Sequence, residues 1–357
     1  MGLDLGIKTK FIGNIFNKKL QNMIFFVTAR CNSKCIGCFN WKELNKKDDL
    51  TLEEIEKISK SMPKIEHILF SGGEPTLRED LAEICNIFRK NNKIRSVSIP
   101  TNGLLPKRIV GIVKEIILRN DGLLVGIHFS LDGLEKTHDY LRGVDGNFKK
   151  VQKTIQGINL LKKEYPKRID TSINTVISNK NYKELPALID FVKKLDIEDH
   201  TFDLLRGSVK ENRMIDLPNI DEIKKINDLR LKTKKYYLRK RGIVHRMFSV
   251  LKEAYLISSQ MRIFANKKLG FKCLAGDVSF VMTHRGEIAL CELRKTIGEL
   301  RKENYDFIKV WNNGEAIKQR KDIAKHNCDC THTCFLSMSI DHSPKIIFWK
   351  MLINYFL

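Results

Sequence analysis

Apolar positions along this chain switch repeatedly between two periods. MIFFVTA (23–29) is a short apolar run of strand character, and LTLEEIEKISKSM (50–62) then spaces its apolar residues as one face of a helix, with Thr51 as its N-cap. HILFSGGE (67–74) reads as a strand entering a glycine loop, followed by a helix over LREDLAEICNIFRK (77–90). The alternation continues with strand 96–103, helix 106–119, strand 123–133 and helix 147–164. Strand 170–178, helix 181–195 and strand 200–207 complete it. Six strands interleaved with helices predict an α/β fold, a parallel sheet with helices on its outer face. Right-handed crossovers curl such a sheet into an open barrel, a partial (β/α)6 TIM-like barrel. The unusual loops (the cysteines after 29, SGGEP, PTNG and SLDG) all follow strands, so they share the face where sites assemble.

The flanks differ from this core. Residues 1–21 form a basic amphipathic segment, with Phe11, Ile12, Ile15, Phe16 and Leu20 at helical spacing among lysines. The barrel core is expected over 22–230. A helical, basic bridge and a small cysteine-bearing C-terminal domain are expected over 231–340, and an apolar, aromatic tail over 341–357.

No apolar run reaches the length of a membrane span, and no secretory cleavage pattern stands at the start, so a cytoplasmic globular protein is expected. The net charge of +22 favours a polyanionic partner: nucleic acid, an acidic substrate or an anionic membrane surface. Nine cysteines without a secretion signal read as metal or redox ligands rather than as a disulfide framework. Cys85 stands apart, on the apolar side of helix 77–90, and reads as a small buried hydrophobe.

Cys31-x3-Cys35-x2-Cys38 places three thiolates on one loop without a nearby histidine to complete a zinc site. Three cysteines leave one iron of a cubane open to a chelating substrate. This loop, together with Ser71-Gly72-Gly73-Glu74-Pro75 after the second strand, resembles the defining motifs of the radical S-adenosylmethionine (SAM) enzymes. The resemblance implies a 4Fe–4S cluster on Cys31, Cys35 and Cys38 whose open iron binds SAM. One-electron cleavage then gives methionine and a 5′-deoxyadenosyl radical that abstracts a substrate hydrogen. It further implies SAM contacts from Ser71, Gly72, Gly73 and Glu74, with Glu74 near the ammonium and the glycines allowing close approach of a ligand. Thr101 and Asn102 match the third-strand segment, Ser130 and Asp132 the fourth, and Arg142 a possible partner for the SAM carboxylate; Asn174 and Val176 lie on the fifth strand near ribose and adenine. Asn102 and Asp132 are also residues that cap turns. The chain departs from the family in having Gly37 before the third cysteine, with Phe39 and Trp41 after it, which leaves adenine packing open.

Cys273-x12-Gly286-x4-Cys291, followed by Cys328-x-Cys330-x3-Cys334, resembles the auxiliary-cluster extensions of these enzymes, the SPASM or twitch domains. Five cysteines imply one auxiliary 4Fe–4S cluster on Cys273, Cys291 and two of Cys328, Cys330 and Cys334. Two clusters would need other ligands, such as His326 or His332. A four-cysteine zinc site is the alternative.

The substrate is less legible. The amphipathic and apolar ends favour a lipid or lipid-linked substrate at the inner face of a membrane, with C–C bond formation or C–H modification. A ribosomally made peptide, crosslinked or epimerised, is the second reading, and other small molecules remain open. The resemblance also implies a reducing partner such as ferredoxin or flavodoxin. Basic residues with tyrosines over 231–246 fit an RNA-binding metalloprotein, a function that leaves the cysteines unexplained.

Overall fold

The computed structural model describes residues 19–205, 209–211, 219–265, 268–325 and 330–343. Both chain ends, His326 and Cys328 therefore lie outside the described residues, and with them residues 1–18 of the amphipathic segment and 344–357 of the apolar tail expected above.

Strand β1 (Asn22–Thr28) is buried at every position but its first, as a strand covered on both faces must be. It pairs in parallel with β2 (His67–Gly72), and the sheet continues in chain order through β3 (Ser96–Thr101), β4 (Leu124–Ser130), β5 (Ile169–Ile177) and β6 (Asp199–Leu204). β6 ends the sheet on one side rather than pairing with β1, so the barrel is open. Helices α1 (Leu52–Ser61), α2 (Leu81–Asn92) and α3 (Pro106–Arg119) cover it in turn. Phe25, Phe70 and Phe88 are fully buried between β1, β2 and α2, with Phe25 and Phe88 edge-on at 6.2 Å. Each such side chain contributes about 1.5–3 kcal/mol through the area it removes from water. Cys85 is fully buried in the same core.

Thr51 caps α1 in a full capping box: its side chain accepts from the Glu54 N–H, and Glu54 accepts from the Thr51 N–H. The helix expected from residue 77 begins at Leu81 instead, because Pro75–Leu77 forms a tight 3-10 turn and Arg78 leaves it to pair with Asp80. A further helix, α4 (Glu135–Arg142), has no counterpart in the apolar pattern. Only His138 and Leu141 are buried along it, and its eight residues are mostly polar, so no recurring apolar positions mark it in the sequence. Next come α5 (Asn147–Glu164) and α6 (Leu185–Val192), then the long pair α7 (Ile220–Leu238) and α8 (Ile243–Phe264), and after them α9 (Phe307–Trp311) and α10 (Gly314–Ala324).

The C-terminal hairpin is not a separate sheet. β7 (Ser279–Met282) pairs in parallel with β1, and β8 (Glu287–Ala289) and β9 (Gly298–Glu299) extend the sheet antiparallel, making nine strands among the described residues. Gly286 turns the β7–β8 hairpin at φ +83°. Among the described residues no helix is long and apolar enough to cross a membrane.

A polar joint fastens the hairpin unit to α1. Arg301 reaches Glu54 through two nitrogens at 2.7 and 3.1 Å, and the Tyr305 hydroxyl donates to the same carboxylate at 3.1 Å. The Arg301 hydrogen bonds hold the Glu54 carboxyl down to about 2. A depressed carboxyl stabilises the fold above its unfolded value, about 4.3, and loses that contribution as pH falls toward the folded value. Glu54→Gln is therefore expected to destabilise the metal-free chain by on the order of 1 kcal/mol at neutral pH. In urea unfolding, the gap from the parent should close as pH drops from about 4.3 toward 2; a gap that persists unchanged would show that the charge of Glu54 is not what stabilises the joint.

Candidate active site

The loop after β1 carries Cys31, Cys35 and Cys38, and it is clamped from two sides. On one side the β2 turn lies directly against its approach: Gly73 N–H donates to Thr28 O and Glu74 N–H to Arg30 O, both at 2.8 Å. A Cβ on Gly73 would stand 2.1 Å from Arg30 O, and one on Gly72, at φ +110°, 2.3 Å from Thr28 O. On this side these glycines allow close approach of the chain's own backbone, and both also line the cavity. On the other side, Lys34 N–H and Ile36 N–H donate to Arg142 O and Leu141 O at the end of α4. Gly143 closes that helix at φ +64°, with the Lys34 carbonyl 2.5 Å from where its Cβ would be. The helix missed in the sequence is therefore the wall that shapes the cysteine loop.

One cavity opens at the carboxyl ends of the strands. It is lined by Cys31, Cys35 and Cys38, by Ser71, Gly72, Gly73 and Glu74, by Thr101 and Asn102, by Ser130 and Asp132, and by Arg142 and Val176. Asn174 does not line it; its side chain donates to Asp203 at 3.1 Å and accepts from Thr201, both on β6. Ser33, Gly37, Phe39, Pro100, Leu141, Ser178 and Leu205 also reach the cavity, of which the sequence had singled out only Gly37 and Phe39. Leu205 and Ser178 follow strands β6 and β5, and that position after a strand was the one signal available for them.

Glu74 is 3% exposed and ties the strand ends together. It accepts from the Asn102 N–H at 2.7 Å and from the Thr76 hydroxyl at 2.6 Å, while burial pushes its carboxyl up. Asn102 in turn donates to Asn32 of the cysteine loop at 2.8 Å. Asp132 accepts from the Val176 N–H at 2.8 Å and pairs with Arg142 at 2.7 Å. Burial opposes the Arg142 charge, but Asp132 and Cys35 beside it raise its affinity for the proton. Arg142 Nη1 lies 4.0 Å from Cys35 Sγ, and its Nε is buried with no hydrogen-bond partner.

Burial pushes the Cys31 thiol up to about 12 and the Cys38 thiol up to about 11. Thiolates so disfavoured by their surroundings call for a cation's charge beside them. Among the described residues no three His, Cys, Asp or Glu side chains are gathered closely enough to hold a single metal ion. In a four-iron cluster each thiolate binds a different iron. The donor set and the buried, unpaired Arg142 Nε fit such a cluster with an anionic ligand beside it.

A second group of cysteines, Cys273 and Cys291 with Cys330, lies at the other end of the sheet. β1 and β7 run parallel from Asn22 and Ser279, whereas β8 returns antiparallel. Cys273 precedes β7 and Cys291 follows β8, so both sit by the start of β1. Burial first, then the neighbouring Cys330 and Cys273, push the Cys291 thiol up. Ser339, on α11 (Thr333–Asp341), donates to Cys273 Sγ at 3.9 Å, and Cys334 packs at the edge of the core.

Residues 25–192 match the radical SAM superfamily. The Fe-coproporphyrin III synthase of Methanosarcina barkeri is 31% identical over 48% of this chain and 41% of its own length. An uncharacterised protein of Methanocaldococcus jannaschii is 33% identical over 58% of this chain and 70% of its own. A probable GTP 3′,8-cyclase of Methanococcus maripaludis is 28% identical over 50% and 58%. The chain thus spans about half the length of the two curated relatives whose activities are named. Among solved structures, Streptococcus suis SuiB bound to SAM superposes with TM-score 0.56 at 17% identity, over 87% of this chain and 70% of that one. The structure of anSMEcpe with SAM and a peptide gives 0.56 at 17% identity over 95% and 96%. At such identity these two show a shared fold. The chain belongs to the radical SAM superfamily and is an enzyme whose cofactors are SAM and a 4Fe–4S cluster.

Proposed function

We propose that this enzyme modifies a peptide or protein segment by radical chemistry, using the site at Cys31, Cys35 and Cys38 and an auxiliary cluster at the far end of its sheet. The observation that carries the first site is the clamped cysteine loop facing the cavity with Glu74, Asp132 and Arg142. With the cluster on these three thiolates and SAM bound, the chemistry supplied is one-electron cleavage of SAM and abstraction of a substrate hydrogen by a 5′-deoxyadenosyl radical. The protein's part is to hold and orient. Arg142 Nε, buried and unpaired, suits the SAM carboxylate, and its pairing with Asp132 keeps the guanidinium charged and fixed. Glu74 holds the third-strand turn in place through Asn102. Phe39, half-exposed at the mouth, offers an apolar face to a purine.

The auxiliary 4Fe–4S cluster draws on Cys273 and Cys291 with partners from the 328–334 segment. Seven strand residues separate it from the first site, about 20 Å along β1 at roughly 3.3 Å per residue. At that distance its part in this reading is to exchange electrons with the first site. A strong reductant such as ferredoxin or flavodoxin supplies them.

The peptide reading draws on the extent of the likeness. Relatives named for tetrapyrrole and nucleotide chemistry match about half of this chain, whereas a protein solved with a peptide shares the fold over 95% of it. The net charge suits an acidic peptide. The lipid reading has no support in the described residues, since residues 1–18 and 344–357 lie outside them.

Replacing Cys31, Cys35 and Cys38 together by alanine should abolish formation of 5′-deoxyadenosine from SAM under anaerobic reduction, while auxiliary iron remains bound. Retained 5′-deoxyadenosine would overturn the site. Gly73→Ala places a Cβ against the Arg30 carbonyl, so the cysteine loop must shift. It should lower iron at the first site and SAM cleavage several-fold with the circular dichroism of the fold kept. For the substrate, acidic peptides encoded beside the gene and lipid extracts are incubated in parallel and read by mass spectrometry. A SAM-dependent mass change confined to lipid would replace the peptide reading.

A further inference from the structure

Between Cys330 and Cys334 stands His332, fully buried at the N-cap of α11. Its Nε2 lies 2.7 Å from the Glu292 carboxylate, whose side chain is 6% exposed and which follows Cys291 directly. A carboxylate only accepts hydrogen bonds, so Nε2 carries a proton, and in the neutral ring the lone pair then sits on Nδ1. That Nδ1 is buried and has no hydrogen-bond partner. A buried acceptor left empty costs about 1–3 kcal/mol, a cost that a metal bond at that atom removes. A histidine whose other nitrogen is fixed by a carboxylate is the arrangement in which imidazole ligates metals.

The neighbourhood is the auxiliary one. Cys291 lies within electrostatic reach of Cys330 and Cys273, and the Glu292–His332 bond joins the strand that delivers Cys291 to the helix that follows Cys330. The Phe335 ring packs edge-on at 5.0 Å and holds the imidazole plane. Gln260 of α8 fixes the backbone just before it, donating to Thr331 O at 2.9 Å.

We propose that His332 is a ligand of the auxiliary cluster through Nδ1, completing a set with the thiolates of Cys273, Cys291 and Cys330, and that Glu292 is its positioning residue. This rests on the auxiliary-cluster reading above. One neutral imidazole in place of a thiolate makes the cluster less negative and raises its potential. Glu292 counters part of that rise by making the imidazole a stronger donor.

The test uses the full chain with Cys31, Cys35 and Cys38 replaced by alanine, so that only auxiliary iron remains, labelled with 15N-histidine. Pulsed electron paramagnetic resonance of the reduced cluster should show a directly bound histidine nitrogen. Glu292→Gln should keep that coupling and shift the midpoint potential upward, and His332→Ala should lose the coupling. The parent measurement needs no substitution at 332, so a poorly folding alanine variant does not decide the matter. Iron present with no nitrogen coupling in the parent overturns the ligand assignment alone. No iron in the parent overturns the auxiliary cluster itself, and the ligand assignment with it.

Discussion

Two successive glycines let the β2 turn lie flat against residues 28–30, and the placement of the cysteine loop depends on that contact. The Gly73 and Glu74 amides bond to the Thr28 and Arg30 carbonyls, leaving no room for a Cβ. Two backbone segments at this distance have little freedom to slide, because any shift breaks hydrogen bonds or brings hard cores together. The first thiolate follows one residue after the contact. From there the same rigidity spreads: Glu74 holds Asn102, Asn102 holds Asn32, and the end of α4 holds Lys34 and Ile36. The cavity is a ring of loops, each fixed by the next.

β1 gives the molecule its second constraint. It is the strand that both halves share, paired with β2 on one edge and β7 on the other. A parallel strand has two ends of different character, and here each end carries a group of cysteines. Polar contacts lock the shared sheet from outside: Arg301 and Tyr305 on Glu54, and Ser61 bridging to the Tyr305 carbonyl and the Phe307 amide. The C-terminal unit is therefore a continuation of the barrel's hydrogen-bonded fabric, and its position relative to the cavity is set by strand register rather than by a linker.

Electrostatics follow from burial. At the first site, buried thiols and a buried Asp132–Arg142 pair lie within one cavity, so the arrangement is stable only with charge compensated locally. At the second, His332 Nε2 bonds to the Glu292 carboxylate and leaves the other ring nitrogen turned from that bond. Each site thus retains a buried, unpaired polar atom, Arg142 Nε in one and His332 Nδ1 in the other.

The sequence by itself determined the parallel α/β alternation, the strand-end position of each motif, and the three thiolates that define the family. These are local matters: period-two and helical spacing follow from backbone geometry, and a cysteine triplet is contiguous in the chain. Only the tertiary structure decided the rest. It showed that the SGGE glycines let the β2 turn lie against the backbone of residues 28–30. It turned Asn174 toward β6, and it made a polar stretch, 135–142, into the helix that braces the cysteine loop. It also set Cys273 and Cys291 at the amino end of β1 and brought Glu292 to His332 across 40 residues. Such contacts join positions far apart in the chain, and no local periodicity encodes which strand will pair with β1 or which buried carboxylate will meet a given imidazole.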